Sequence, residues 1–144
     1  MKISKIFLET ILPIITGTIL FILYFILFDK FSNKPELESC ESYELSNAVY
    51  LIFGFIIIII SSFYELSIGK WILEMNKNKY VLNIINCVVF GLFFTLIFIL
   101  MRTYSGKEIE LELCLGFYLI FILLGLLFSI LSKLSQRVFK HKFN

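Results

Sequence analysis

The sequence predicts an all-α integral membrane protein, with four transmembrane helices in one bundle and both termini in the cytoplasm. Hydrophobic residues make up 59% of the chain, and 17 of its 144 residues are phenylalanine, whereas a soluble domain has about 45–50% apolar residues. The charged residues leave four uncharged tracts of 19 to 22 residues. A helix needs about 20 such residues to cross roughly 30 Å of hydrocarbon. The composition therefore excludes an ordinary soluble domain.

The predicted spans cover about residues 8–28, 45–66, 80–101 and 113–132. The segments that join and follow the uncharged tracts have 11 to 16 residues. Segments this short cannot bury a hydrophobic core of their own. Residues 1–144 are therefore expected to form a single membrane domain, without a fused soluble enzyme or nucleic-acid module.

Basic residues are distributed unevenly between these segments. Nine Lys and Arg residues fall in the N-terminal segment, the middle loop and the tail, whereas four fall in the other two loops. An excess of Lys and Arg in short loops marks the cytoplasmic side. This bias predicts that both termini and the middle loop are cytoplasmic. Eight of the 11 acidic residues lie in the two loops predicted to be outside.

The first predicted helix follows Lys2 and Lys5, as the apolar region of a signal peptide does. Its uncharged tract has 19 residues, more than the 7–15 of a signal peptide, and no small-residue cleavage site follows it. A retained helix is therefore expected. Pro13 lies one turn into it, where the missing N–H bends a helix unless a neighbour satisfies the freed carbonyl.

Three ionisable residues flank the first two spans at the predicted cytoplasmic boundary: Glu9, Glu65 and Lys70. Interface anchoring and ion pairing are their expected roles, because side chains near a helix end can reach the headgroups. Gly69 is expected to break the second helix, and a short interfacial helix is predicted over residues 70–75. Because no tract carries a charge at its centre, a proton relay or voltage sensor is not expected.

Small and polar residues recur at helical spacing in the last two spans. They are Asn83, Cys87, Gly91 and Thr95 in the third and Gly125, Ser129 and Ser132 in the fourth. Helices in lipid associate through small residues that permit close approach and through polar groups that bond across the interface. These residues are therefore predicted to pack the bundle or its oligomer. The alternative is that the third-helix seam lines a polar path.

The tail combines Lys133, Arg137, Lys140 and Lys142 with apolar residues. Near an anionic leaflet each basic side chain contributes about 1 kcal/mol of attraction. Contact with lipid is the first interpretation, and docking of an acidic cytoplasmic protein is the second. Nucleic-acid binding is not expected from one short basic run.

The residues needed for catalysis or metal binding do not form recognisable motifs. The chain has one histidine, and Cys40, Cys87 and Cys114 lack zinc-ligand spacing. No enzymatic activity, cofactor or metal is therefore expected. Under the predicted topology Cys40 and Cys114 both lie outside, where an oxidising compartment would allow a disulfide. Three unpaired thiols are the alternative.

These observations predict a small non-enzymatic membrane subunit that self-associates and couples an event at the envelope to a cytoplasmic protein. Membrane lipid, further copies of the chain and that protein are its expected partners. The abundance of Ile, Phe, Lys and Asn, with Ala48 as the single alanine, suggests an AT-rich bacterial gene and a multi-pass protein of the bacterial inner membrane. A phage-defence or toxin-immunity system is one such setting. The alternative function is an oligomeric channel or transporter lined by the third-helix seam.

Overall fold

The computed structural model describes residues 5–32, 40–75 and 78–140, and side chains within 5–28, 48–75 and 78–139. The described residues form no strand. They form five α-helices: α1 (Leu12–Ser32), α2 (Cys40–Tyr64), α3 (Lys70–Glu74), α4 (Lys79–Tyr104) and α5 (Leu111–Lys140). A π-helical turn over Phe7–Ile11 leads into α1, and a second over Glu65–Gly69 joins α2 to α3.

Four helical stretches are long and apolar enough to cross a membrane. They are Phe7–Phe28, Ala48–Glu74, Lys79–Tyr104 and Leu111–Phe139. Only 22 to 28% of the residues in their most apolar windows are buried within the protein, so the remaining apolar surface is suited to lipid. The predicted all-α fold with four membrane helices is confirmed, and the chain is a multi-pass helical membrane protein.

The helices pack in a definite order. Helix α1 lies against α2 and α5, α4 lies against α5, and the short α3 lies against α4. The first π-helical turn packs on α5, so the beginning of the first span and the end of the last are at the same end of the bundle. We call this the basic end, because it also carries Lys70, Lys133 and Arg137.

The core consists mostly of aromatic and branched aliphatic side chains from all four long helices. Phe94 of α4 stacks on Phe121 of α5 with ring centroids 4.4 Å apart, and Phe98 stacks on Phe117 at 4.0 Å. Stacked and edge-to-face aromatic pairs contribute about 0.5–1.5 kcal/mol beyond the area they bury. The buried cluster comprises Ile14, Ile57, Tyr64, Phe90, Phe94, Phe121, Leu124 and Phe128.

Glycines allow α1, α4 and α5 to approach one another closely. A Cβ on Gly91 of α4 would lie 2.7 Å from Ile122 Cγ1, and a Cβ on Gly17 of α1 would lie 2.6 Å from Phe128 Cδ1. Real side chains do not approach this closely, so neither position accepts a larger residue unless the α5 side chain that it meets shifts. By contrast, a Cβ on Gly116 would meet nothing within 4 Å.

Two serines of α5 compensate for Pro13. Proline has no N–H, so it leaves the carbonyl of Glu9 without its donor in the α-helical pattern and that of Leu8 in the π-helical pattern. Ser132 Oγ donates to the Glu9 carbonyl at 2.8 Å, and Ser135 Oγ donates to the Leu8 carbonyl at 2.7 Å. A defect in the backbone of the first helix is thereby converted into two bonds between helices.

The second span differs from its predicted boundaries. It continues to Glu74, because Gly69 is helical (φ −60°, ψ −44°) and the extended conformation begins at Met75. Gly69 therefore lies inside the helix instead of breaking it. The predicted interfacial helix is the last part of the same span, where Trp71 is exposed, as is typical of aromatic residues at a membrane interface.

Gly91→Ala and Gly116→Ala are a matched pair of substitutions. We expect Gly91→Ala to lower the free energy of unfolding by about 1–3 kcal/mol, the usual cost of overpacking. Gly116→Ala should leave it unchanged or raise it by up to about 1 kcal/mol, because alanine has the higher helix propensity and would meet no neighbour here. Reversible unfolding in mixed detergent micelles measures both values. Equal effects would contradict the close packing of α4 on α5.

The role of Ser132 can be isolated with a double-mutant cycle. Ser132→Ala should lower the free energy of unfolding by about 0.6 kcal/mol, the mean for hydrogen bonds between membrane helices. In a Pro13→Ala background the Glu9 carbonyl regains a backbone donor, so the same substitution should cost less. Ser129→Ala, one turn earlier on α5, is the control. A cost of Ser132→Ala that is independent of Pro13 would refute the compensation.

Candidate functional site

Three polar side chains meet where the second span lies against α4. The Tyr64 hydroxyl donates to Asn86 Oδ1 at 3.1 Å, with the Asn86 backbone carbonyl at 3.3 Å. The Asn86 amide nitrogen donates to the Glu65 carboxylate, 3.2 Å from one oxygen and 3.3 Å from the other. We call Tyr64, Glu65 and Asn86 the Glu65 cluster. Asn86 connects its two other members.

The second π-helical turn positions the carboxylate. Glu65 begins this turn, and its carbonyl accepts the Lys70 N–H five residues later. Gly69 lies beside the carboxylate, because a Cβ at this position would collide with Glu65 Oε2 and lie 3.4 Å from Asn86 Oδ1. The absence of a side chain at Gly69 thus gives Glu65 the room to turn back toward α4.

The cluster is enclosed by aromatic rings. Tyr64 is fully buried, and its ring lies edge-on to Phe90 at 5.1 Å between centroids and tilted against Phe93 at 5.3 Å. Asn86 is buried and Glu65 is half-buried. Hydrogen bonds in such apolar surroundings are strengthened, and an unpaired polar group there is costly. The cluster is therefore a specific contact between the two spans.

Glu65 lies farther from the end of its span than the sequence predicted. Its partner Asn86 comes six residues after Tyr80, where the uncharged tract of α4 begins, and six residues of helix rise about 9 Å. Lys133 lies close to that boundary, with its Nζ 5.7 Å from the centre of the Tyr80 ring. Asn86 is thus separated from the level of Lys133 by nearly two turns of helix, whereas Lys70 is five residues after Glu65, about 7.5 Å of helix rise.

The expected ion pairs at this end are arranged differently. Lys70 pairs with Glu74 at 3.8 Å, one turn along the helix surface. Glu65 has no ion pair with any cation among the described residues. The side chain of Glu9 is half-buried, and the contact seen for this residue is the bond from Ser132 to its backbone carbonyl. Glu65 therefore has neutral hydrogen-bond partners where ion pairing was expected.

The third-helix seam, which consists of Asn83, Cys87, Gly91 and Thr95 on α4, lies largely against α5. Cys87 and Gly91 are buried, whereas Asn83 and Thr95 are half-buried. Thr95 Oγ1 donates to the Gly91 carbonyl of its own helix at 2.8 Å. Gly125 of α5 is buried across this interface. A Cβ on Gly125 would lie 3.6 Å from the Cα of Cys87. Ser129 and Ser132 are half-buried on the same helix.

Asn86 is the cluster member that the sequence pattern did not reveal. The four-residue repeat that begins at Asn83 passes through Cys87 and omits Asn86, which is three residues from Asn83 and faces the second span. An asparagine inside an apolar helix is itself a signal, because such a residue seeks a partner on another helix. Glu65, at the end of the neighbouring tract, was the available acceptor.

The remaining predicted site residues lie near the ends of the helices. Lys133 and Arg137 are exposed on the last turns of α5, and Cys114 is half-buried in its first turn. The side chains of Cys40 and Lys140, and the whole of Lys142, lie outside the described residues, so the Cys40–Cys114 disulfide stays a prediction. The described His, Cys, Asp and Glu side chains form no group of three that could hold a metal ion.

Comparison with known proteins does not assign the chain to a family. No protein-family model matches it, and no curated protein or solved structure shows significant similarity to it. The fold class and the geometry of the bundle are therefore the observations from which a function is argued.

Asn86→Leu tests the Glu65 cluster. This change removes the donor to the Glu65 carboxylate and leaves the Tyr64 hydroxyl only the backbone carbonyl of residue 86 as acceptor, and leaving a buried polar group unsatisfied costs about 1–3 kcal/mol. We expect a loss of about that size in the free energy of unfolding, measured in mixed micelles. Asn83→Leu, on the same helix but half-buried, is the control. A larger loss for Asn83→Leu would contradict the importance of the cluster.

Proposed function

We propose that this chain is a non-enzymatic membrane subunit that self-associates and couples an event at the envelope to a cytoplasmic protein. In this proposal the basic end, with both termini, faces the cytoplasm, as the distribution of Lys and Arg favours. The acidic loops then face the outside. The membrane is the bacterial inner membrane, and the event is one that a phage-defence or toxin-immunity system detects.

The observation that carries the proposal is the continuity of α5. It has 30 residues, which correspond to about 45 Å at 1.5 Å per residue, whereas the hydrocarbon core is only about 30 Å thick. One unbroken helix thus connects the basic end of the bundle to the opposite end, where the acidic loops are attached. Lys133 and Arg137 are exposed on its last turns, where an acidic partner or an anionic headgroup can reach them.

The packing of α5 supports a coupling role. Near one end it bonds through Ser132 and Ser135 to the π-helical turn before α1, and along its length it packs against α1 and α4. A displacement of α5 at the outer end would therefore also move the N-terminal turn and the basic side chains. A helix transmits such a movement because its backbone is internally hydrogen-bonded and stiff.

The position of the third-helix seam favours packing over conduction. Cys87 and Gly91 are buried against α5 of the same chain, so these two residues are not free to line an opening between copies. The outward apolar faces of the spans are suited to lipid or to further copies of the chain. We therefore propose assembly as the function of the bundle, and an oligomeric channel is an outcome that the experiment below can detect.

The coupling proposal predicts that charge on the last turns of α5 is needed for partner binding. Combining Lys133→Gln with Arg137→Gln should release a protein that co-purifies with the wild-type chain in mild detergent, while Lys107→Gln, an exposed residue at the other end, should not. Quantitative mass spectrometry of the purified complexes measures this. Neutralisation is preferred to deletion of residues 133–144, because deletion would also remove Ser135 and its bond to Leu8.

The purified wild-type chain in liposomes provides the second part of the test. We expect no flux of ions or small solutes. If the chain conducts, and Asn83→Leu or Thr95→Val alters the flux, the channel function replaces the coupling function. If the chain is silent but the charge-neutral variant keeps its partner, the basic end of α5 is not the docking site.

A further inference from the structure

We propose that Glu65 is a proton-binding site inside the membrane bundle, formed by Asn86 of α4 and by neutral groups of the second span. This site is distinct from the basic end of α5 and does not rest on the proposed coupling function. The ligand is a single proton, which enters from the solution at the basic end and binds one carboxylate oxygen. No bond other than O–H forms or breaks, and no oxidant or reductant is involved.

The described hydrogen-bond partner of the Glu65 carboxylate carries no charge. This partner is the uncharged amide of Asn86, which in turn accepts from the uncharged hydroxyl of Tyr64. Removing an ionised carboxylate from water costs several kcal/mol unless a cation and further hydrogen bonds compensate it. The described cations form no ion pair with Glu65. Protonation removes this cost, because a neutral carboxyl still accepts the bond from Asn86 on its carbonyl oxygen.

Two buried hydroxyls of the first two spans have no hydrogen-bond partner among the described residues. Ser61 and Thr18 are both fully buried, and neither Ser61 Oγ nor Thr18 Oγ1 has a partner. Ser61 is one helical turn before Glu65, on the same face of the second span. Thr18 lies across the α1–α2 interface, where its Cγ2 is 3.7 Å from the position of a Cβ on Gly54. Unpartnered buried hydroxyls of this kind are where ordered water is found.

Ser61 and Thr18 add buried polar atoms to the interior of the first two spans. Glu65 is half-buried, and Ser61 and Thr18 lie progressively farther from the basic end. A protonated Glu65 has a hydroxyl group to donate, and its oxygens lie beside Gly69 and Asn86. The site therefore accepts a proton on an oxygen whose described hydrogen-bond partner is a neutral amide.

Other titratable and charged groups near this end do not bond to the Glu65 carboxylate in the part of the chain that the structure describes. The Tyr64 hydroxyl is bonded to Asn86, and Lys70 and Glu74 of α3 pair with each other. Lys133 of α5 lies over Tyr80, about two helical turns from the cluster. The Cys87 thiol of α4 is buried, and Glu9 of the N-terminal π-helical turn is half-buried. None of these groups neutralises the Glu65 carboxylate in place of a bound proton.

Dicyclohexylcarbodiimide tests the proposal on the full chain in lipid nanodiscs. This apolar reagent enters membranes and reacts with protonated carboxyls: the carboxyl proton moves to a reagent nitrogen, the carboxyl oxygen adds to the central carbon, and rearrangement leaves a stable N-acylurea. Intact mass and peptide mapping should show one reagent per chain, on Glu65. The labelling rate should fall severalfold as the solution changes from mildly acidic to alkaline.

Matched variants distinguish Glu65 from the other carboxyls. Glu65→Gln should abolish the label, whereas Glu74→Gln, at an exposed position on the same span, should retain it. Labelling confined to Glu9 or Glu74, or labelling of Glu65 that does not change with pH, would overturn the proposal. So would protection of Glu65 by sodium ions relative to choline at equal ionic strength, because the site would then take a metal cation.

The thermal stability of Glu65→Gln is the second measurement, and it does not depend on the reagent. Glutamine is a neutral isostere of the protonated carboxyl and keeps an oxygen for Asn86. The variant should unfold at a temperature no lower than the wild type at neutral pH, while Glu65→Ala should unfold at a lower one. A marked loss for Glu65→Gln would show that the ionised carboxylate is required, and would overturn the proposal.

Discussion

Lipid cannot satisfy a polar group, and this constraint determines how the helices of this protein are held together. Because the hydrophobic effect does not drive association between helices in hydrocarbon, the contacts depend on close packing and on hydrogen bonds that have no other partner. The bond from Ser132 to Glu9 and the bonds from Asn86 to Glu65 are of this kind. The first joins segments 123 residues apart in the sequence, and the second joins consecutive spans through residues 21 positions apart.

The two π-helical turns show how the chain uses irregular backbone. The first lies just before Pro13, where carbonyls lose their donors, and α5 supplies two hydroxyls to the exposed carbonyls. The second begins at Glu65 and ends at Gly69, where the missing side chain makes room for the carboxylate. Single π-helical turns within α-helices often occur at functional sites. Here both lie at the basic end of the bundle, one in each of the first two spans.

Among the described residues, the side-chain hydrogen bonds between helices lie at this end, while the middle of α4 and α5 is aromatic. Rings of Phe90, Phe94 and Phe121 fill the interface there, and Gly91 permits the close approach of the helices. The proposed coupling and the proposed proton site depend on different parts of this arrangement. Coupling depends on the continuity and packing of α5, and proton binding depends on the contact between the second span and α4.

Much of the fold was predictable from the sequence, because helix length and hydropathy respond directly to the thickness of the bilayer. The four spans and the packing potential of Gly91 and Gly125 are visible as composition and spacing. The pairing of Glu65 with Asn86 is not, since these residues are 21 positions apart and their encounter depends on the rotation of each helix about its axis. That rotation is set by packing, which periodicity alone does not specify.

The sequence by itself therefore determined the class of protein and the number of spans, because both follow from local chemistry. Only the tertiary structure decided that the second helix continues through Gly69 and that Glu65 has a neutral amide for a partner. It also decided that Ser132 and Ser135 donate to the carbonyls that Pro13 leaves without a donor. These outcomes share a physical reason. In a bilayer a polar group must bond to whatever the neighbouring helix presents at its depth, and that choice is made by the packed bundle as a whole.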